Sequence, residues 1–445
     1  MDARTRMFKE MMSTSTHSAE AVQGRKVPYL LCPVKKPEEY SDNERNWLKQ
    51  RDEGRKSHSP SGWWNYFQDC VEVKIRNGDS LALWTSRSKL DSGSGTGGVP
   101  VSGGGGGGIS NIGGGGDPFI LFLHGGGYSG LTWGPMIDEL SRLIVAQYGA
   151  LDLRGHGESR CWDEDNLSLE TLTMDILDVI NWLKGNEVFQ LANRPLIIVG
   201  HSMGGALGVN VSLSLQELNE VKLAGLVVLD VVEGSALLAL NSMQFVLRNR
   251  PREFESIPDA IQWCTRSGQT KNVDSARISM TGQIMQKSSG KMATQFVTRR
   301  KDGADESCDT QTVTAKKRVW EKEDNSGNGN ISEESAVSTV PQNFVWRINL
   351  SLTEPHWKGW YQGLSKKFLS VRCPKLLMLA GLDRLDKELT VGQMQGKFQM
   401  QVFHQVGHAI HEDVPDKGAE CLAAFLCRQR IAVAKGHLPA ALPGC

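Results

Sequence analysis

The chain has 445 residues, 39% of them apolar, and its 50 Lys and Arg are balanced by 50 Asp and Glu. That balance excludes a globally disordered chain and removes the electrostatic drive toward nucleic acid or an anionic membrane surface as the main partner. The 48 glycines follow no Gly-X-Y period, which excludes collagen, and 14 of them are concentrated in 92–116, so the remainder reads as ordinary globular protein with one low-complexity insertion.

Residues 1–57 are polar, weakly periodic, and read as a flexible N-terminal arm. From 58 to 445 the chain reads as one domain. Aromatic anchors in 59–69 lead into two alternating runs, VEVKIR (71–76) and LALWTS (81–86), split by Asn77-Gly78, which predicts a β-hairpin. The glycine-rich 92–116 follows as a disordered loop. Strands and helices then alternate: strand 118–123, helix about 134–146, strand 147–152, helix 169–184, strand 195–200, helix 203–218 and strand 224–230. In 169–184, Leu172, Ile176, Val179, Ile180 and Leu183 share one face, and Ser168 stands where an N-cap belongs. Such alternation predicts an α/β fold with a mostly parallel sheet and an antiparallel N-terminal hairpin.

After Asp230 the rhythm fails until PKLLMLAG (374–381). The interval 231–373 is too long for an ordinary crossover and is expected to be a helical cap, with a polar, disordered loop at 289–343. A strand near 400–404 and a helix near 416–432 close the sheet. The apolar runs are too short to span a membrane. The N-terminus has no signal-peptide pattern, and nine cysteines without a C-x-x-C pair suit a reducing compartment, so cytosol or nucleus is expected. The basic run in 316–322 is too short to decide between them.

The strongest chemical signal is Gly200-His201-Ser202-Met203-Gly204, a G-x-S-x-G match lying between a predicted strand and a predicted helix. A nucleophile there sits on a sharp turn, with glycines admitting close neighbours and the Met203 N–H at a helix N-terminus able to hold an oxyanion. A serine hydroxyl needs a base and an acid to orient that base. His408 follows the last strand on a Gly407 turn and is the expected base, with His411 as its neighbour. Two acids end strands: Asp230 after AGLVVLD, and Asp383 after LLMLAG with Asp386 close behind, and spacing leaves both open. His124-Gly125-Gly126-Gly127 follows a strand and can supply the second oxyanion donor, assigned to Gly126. Asp152-Leu-Arg-Gly-His-Gly-Glu-Ser159 is a D-x-R-G-x-G-x-S turn whose Asp and Arg are read as structural. Gly125 to Gly130 also imitates a dinucleotide-binding G-x-G-x-x-G with Asp152 downstream, but that reading explains neither the serine turn nor the late histidine. This chemistry calls for no cofactor and no metal.

Longer segments carry a resemblance. LFLHGGGYSGLTW (121–133), ALDLRGHGES (150–159), IIVGHSMGGALGV (197–209), the DVVEGSA stretch (230–236), WKGWYQGLSKKFLS (357–370), LTVGQMQGKFQMQV (389–402) and GHAIHED (407–413) resemble the protein phosphatase methylesterases, α/β-hydrolases. The resemblance covers roughly 58–91, 117–288 and 344–430. It implies a serine carboxylesterase that removes the methyl ester from the C-terminal leucine of the protein phosphatase 2A catalytic subunit. It also implies that the DVVEG acid, Asp230, completes a Ser202–His408–Asp230 triad, with Asp383 a structural loop residue, and that contact with the phosphatase aligns this triad. The glycine insertion, the N-terminal arm and the 289–343 loop depart from the family pattern. Two readings compete with this one: a general carboxylesterase acting on small esters, and a catalytically silent phosphatase-binding scaffold.

Overall fold

The run Phe119–Leu123 is fully buried on both faces, as a strand inside a helix-covered parallel sheet must be. Burying each of those five side chains contributes roughly 1.5–3 kcal/mol relative to exposure. A computed structural model describes residues 58–87, 116–299, 343–382 and 385–438. The expectations for the N-terminal arm, nearly all of the glycine-rich loop, most of the 289–343 loop, and Asp383 lie outside the described residues.

Eight strands form the main sheet: β1 (Asp69–Lys74), β2 (Ser80–Arg87), β3 (Phe119–Leu123), β4 (Gln147–Leu151), β5 (Leu196–His201), β6 (Leu223–Leu229), β7 (Lys375–Leu379) and β8 (Gln399–Val402). Their order is β1-β2-β4-β3-β5-β6-β7-β8. β2 is antiparallel to both neighbours, and every pairing from β4 to β8 is parallel. The β1–β2 hairpin runs from Asp69↔Thr85 to Lys74↔Ser80. It turns through Asn77 and Gly78, both with positive φ, the conformation for which Asn and Gly are enriched.

Helices cover both faces: α1 (Gly134–Leu143), α2 (Leu169–Gly185), α3 (Met203–Leu218) and, near the C-terminus, α11 (Pro415–Arg428). Ser168 caps α2 by accepting from the Thr171 N–H, and the predicted face of α2 is the buried one. α1 stops at Leu143, short of the predicted 146, because Ile144–Val145 pairs with Val433–Ala434. A fully buried Asp152 carboxylate takes N–H bonds from Gly130 (2.6 Å), Glu158 (2.8 Å) and the Trp84 indole (3.0 Å). Arg154 bridges Asp79 and Asp175, each at 2.7 Å. The D-x-R-G turn is therefore spent on holding β2, β4 and α2 together, and Asp152 has no face left for a ribose.

Between β6 and β7 the chain leaves the sheet to build the cap: α4 (Glu233–Arg248), α5 (Ile257–Ser267), α6 (Val273–Ser279), α7 (Glu354–Tyr361) and α8 (Leu364–Ser370). The cap also holds a small antiparallel sheet, with Phe344–Trp346 between Glu253–Phe254 and Ile284–Gln286. Strands of two or three residues are too short for a period of two to show in sequence. Phe254, Ile284 and Phe344 from this sheet form a separate apolar cluster with α5 and α6. After β7 come α9 (Lys387–Met394) and, after β8, the one-turn helix α10 (Ile410–Asp413). Among the described residues no helix is long and apolar enough to cross a membrane.

Candidate active site

Ser202 is the single residue between β5 and α3, at φ 53°, ψ −119°. A non-glycine residue there is strained, and the surroundings hold it: its N–H donates to the Leu229 carbonyl at 3.0 Å, and its carbonyl accepts from Gly205 and Ala206. The flanking glycines follow from packing. A Cβ on Gly200 would fall 2.2 Å from the Gly204 carbonyl oxygen, and one on Gly204 would fall 2.3 Å from that of Leu123. The turn thus requires backbone against backbone, which turns the serine up at the end of the sheet.

Asp230 directly follows β6, also at positive φ (52°). Its Oδ2 lies 2.8 Å from His408 Nδ1, its Oδ1 accepts the Ala380 N–H at 2.9 Å, and its own N–H donates to the Met378 carbonyl at 2.8 Å. The carboxylate is completely buried and the imidazole nearly so. With an acceptor fixed at Nδ1, the proton of neutral His408 sits there and Nε2 is left with its lone pair, as a general base requires. His408 is placed from two sides. Gly407 N–H donates to Asp413 Oδ2 at 2.5 Å, and the His408 carbonyl accepts from His201 Nε2 at 3.0 Å.

Sequence reasoning left the two acids open, and geometry separates the described ones. Asp230 bonds to His408, whereas Asp386 caps α9 through the Leu389 N–H and accepts the Ser365 hydroxyl. Glu233, of the same DVVEG stretch, accepts the Gly363 and Ser365 N–H groups and so ties the start of α4 to the α7–α8 junction.

Gly126 stands in the loop after β3, and Met203 opens α3. Gly127 gives its N–H to His156 Nε2 at 2.9 Å, which holds this loop over the site. A Cβ on Gly125 would lie 3.2 Å from that of Ser202 and 2.8 Å from His201 Nδ1, so the loop rests directly on the serine turn. Gly126 and Ser202 line one cavity with His408. Met203 itself is buried beside that loop, its sulfur near Gly126.

One arm of the constellation is not closed. No hydrogen bond joins Ser202 to His408; Tyr361 lines the same cavity as the serine, and burial pushes its phenol up to about 12. Tyr361 comes from the cap, at the end of α7, and nothing in its local sequence distinguishes it from its core neighbours Trp357 and Trp360.

Behind His408 lies a buried polar cluster that the sequence motif hides. His201 and His411 rings sit 4.6 Å apart, and His411 stacks on Trp133 at 4.1 Å. Burial, with the neighbouring histidines, holds His201 well below its ordinary range, and burial pushes His411 down to about 3, so both are neutral. Thr132 donates its hydroxyl proton to Glu412, and His411 Nε2 bonds to the same Thr132 oxygen at 2.9 Å. Burial pushes Glu412 up to about 8, which leaves it uncharged at neutral pH. His411 is thus a packed neighbour of the base, on the far side from the cavity.

The cavity, about 100 Å³, is walled by Leu240, Met243, Leu247, Leu350 and Trp357, mostly from the cap. It is a partly open, mostly apolar cleft that ends at Ser202 and His408.

The sequence profile of the Alpha/beta hydrolase family matches residues 120–420. Protein phosphatase methylesterase 1 of Homo sapiens is 40% identical over 394 residues, covering 88% of this chain and 91% of the human one. The Mus musculus protein of the same name is 39% identical with the same coverage, and the probable protein phosphatase methylesterase 1 of Caenorhabditis elegans is 41% identical over 72% of this chain and 71% of its own. Among solved structures, E-2-(acetamidomethylene)succinate hydrolase superposes with a TM-score of 0.52 over 81% of this chain and 99% of its own at 15% identity, which bears on the fold alone.

Proposed function

The chain belongs to the protein phosphatase methylesterases of the α/β-hydrolase fold, and from that premise we propose that it demethylates the C-terminal leucine methyl ester of the protein phosphatase 2A catalytic subunit. It is a carboxylic ester hydrolase, and the observation that carries the mechanism is the 2.8 Å His408–Asp230 pair facing the same cavity as a strained Ser202.

Ser202 Oγ attacks the ester carbonyl while His408 Nε2 takes its proton, and Asp230 holds the resulting imidazolium through Nδ1–H. The carbonyl electrons move onto oxygen, where the N–H groups of Gly126 and Met203 receive them. Collapse of this intermediate breaks the carbon–methoxy bond, and His408 returns the proton so that methanol leaves. Water, deprotonated by the same histidine, then attacks the acyl-serine. A second collapse frees the carboxylate and restores Ser202.

Ser202 must turn to His408 before the first step, and Tyr361 stands in the same cavity. Tyr361 and the cavity wall belong to the cap, so a partner that shifts the cap would complete the triad. This supports a docking role for the phosphatase in aligning the site, as the family resemblance implies. The free thiols of Cys70, Cys161, Cys264, Cys373, Cys421 and Cys427 agree with action in the cytosol or nucleus.

A fluorophosphonate probe is expected to label wild-type protein on Ser202 and to leave Ser202→Ala unlabelled, as read by mass spectrometry of the modified peptide. Equal labelling of the two would remove Ser202 from the mechanism, and no labelling of the wild type, with phosphatase present, would favour a silent scaffold.

A further inference from the structure

The cavity beside Ser202 contains one side chain that an ester does not explain. Arg250, just beyond α4, lines it, and no Asp or Glu does. Its guanidinium lies 3.6 Å from the ring centroid of Trp346, with Trp263 at 5.9 Å. The indole N–H of Trp346 is in turn held by the Pro251 carbonyl at 2.8 Å, so the platform beneath the guanidinium is fixed. Nη1 would lie 3.7 Å from a Cβ built on Gly127, next to the proposed oxyanion donor Gly126. Among the described residues Arg250 makes no ion pair, unlike Arg154, which satisfies two carboxylates. Burial lowers its affinity for the proton, to about 10, and no nearby carboxylate offsets this. A guanidinium that is desolvated and stacked but unpaired retains its in-plane N–H donors for a bidentate acceptor.

We propose that Arg250 is a carboxylate-recognition point of the substrate pocket, holding an anionic group of the peptide while its esterified terminal residue lies against Leu240, Met243 and Leu247. This rests on the ester-hydrolase reading above and adds a preference to it. A methyl ester is neutral, so it can offer a guanidinium a carbonyl acceptor but no charge to pair with in the ground state. The carboxylate therefore comes either from an acidic side chain close to the ester or from the terminal carboxylate that hydrolysis creates. In the first case Arg250 selects the substrate, and in the second it retains the product. The guanidinium also contributes to packing through Trp346, so the test has to read charge and not fold alone.

The full-length protein would be assayed on methyl-esterified peptides that differ in one residue, Glu or Gln, at successive positions before the ester. Binding of the corresponding C-terminal acid and C-terminal amide would be measured by calorimetry, which needs no turnover. Selection of an acidic side chain predicts a kcat/KM roughly tenfold to a hundredfold higher for one Glu peptide than for its Gln twin. That ratio should collapse in Arg250→Met and survive in part in Arg250→Lys. Product retention predicts instead that the acid binds wild type more tightly than the amide by a similar factor, with the gap closing in Arg250→Met. The proposal is overturned if wild type shows neither preference, or if Arg250→Met lowers every substrate and ligand by one common factor. Failure of wild type to hydrolyse any ester would count against the hydrolase reading, and the calorimetric comparison would still decide the role of Arg250.

Discussion

Asp230→Asn is expected to lower kcat for ester hydrolysis by about four orders of magnitude while leaving the fold intact. The carboxylate is the acceptor that fixes the proton of His408 on Nδ1, at 2.8 Å. An amide in its place presents either an NH₂ to that nitrogen, which favours the tautomer with no lone pair on Nε2, or an uncharged oxygen that stabilises the imidazolium far less. The backbone gives little reason for misfolding. Asp230 sits at φ 52°, and asparagine is among the residues that enter this region most readily. Its Oδ can still accept the Ala380 N–H that Asp230 Oδ1 now receives. Steady-state kinetics of Asp230→Asn beside Asp383→Asn, with circular dichroism to compare the folds, checks this. Loss confined to Asp383→Asn would reassign the acid.

Gly204→Ala should be as damaging by a different route. Its Cβ would fall 2.3 Å from the Leu123 carbonyl oxygen and 2.5 Å from that of His124, where only movement of backbone relieves the overlap. The end of β3 would have to part from the start of α3, carrying the Gly126 loop away from Ser202. We expect little soluble, folded protein, or folded protein with activity reduced by more than about a hundredfold, since misplacement by an ångström costs that much. Gly126→Ala is the contrast. There a Cβ meets only Leu350 at 3.7 Å and the Met203 sulfur at 4.0 Å, which are ordinary contacts, so this variant should fold normally. Thermal unfolding of the two variants side by side separates a packing glycine from a permissive one. A Gly204→Ala protein as stable and active as wild type would contradict the packing described here.

Much of this was legible because the determining residues are local. The Asn77-Gly78 turn, the capped amphipathic helix after Ser168, and the strand–Ser202–helix turn are each written in a few consecutive positions, and each appears where the sequence places it. Asp230 was not separable from Asp383 by spacing, since each follows an apolar run that reads as a strand. It is the pairing of β7 beside β6, a long-range fact, that brings Asp230 to His408. Tyr361 and Arg250 were illegible for the same reason. An aromatic in WKGWYQ looks like core, and an arginine in LRNRP looks like surface, until the cap folds over the sheet and turns both toward Ser202. The two-residue and three-residue cap strands carry too few positions for any periodicity. His201, by contrast, was visible as the variable residue of the G-x-S-x-G match, but its bond to the His408 carbonyl spans 207 positions.

The central claim is that Ser202 drives removal of a methyl ester from a phosphatase C-terminus. Carboxymethylated protein phosphatase 2A catalytic subunit, incubated with the full-length protein and followed by intact mass, measures it most directly. Loss of one methyl group as methanol is expected with wild-type protein and none with Ser202→Ala. Persistence of the methyl ester with wild type, alongside rapid hydrolysis of small acyl esters by the same preparation, would contradict it in favour of a general carboxylesterase.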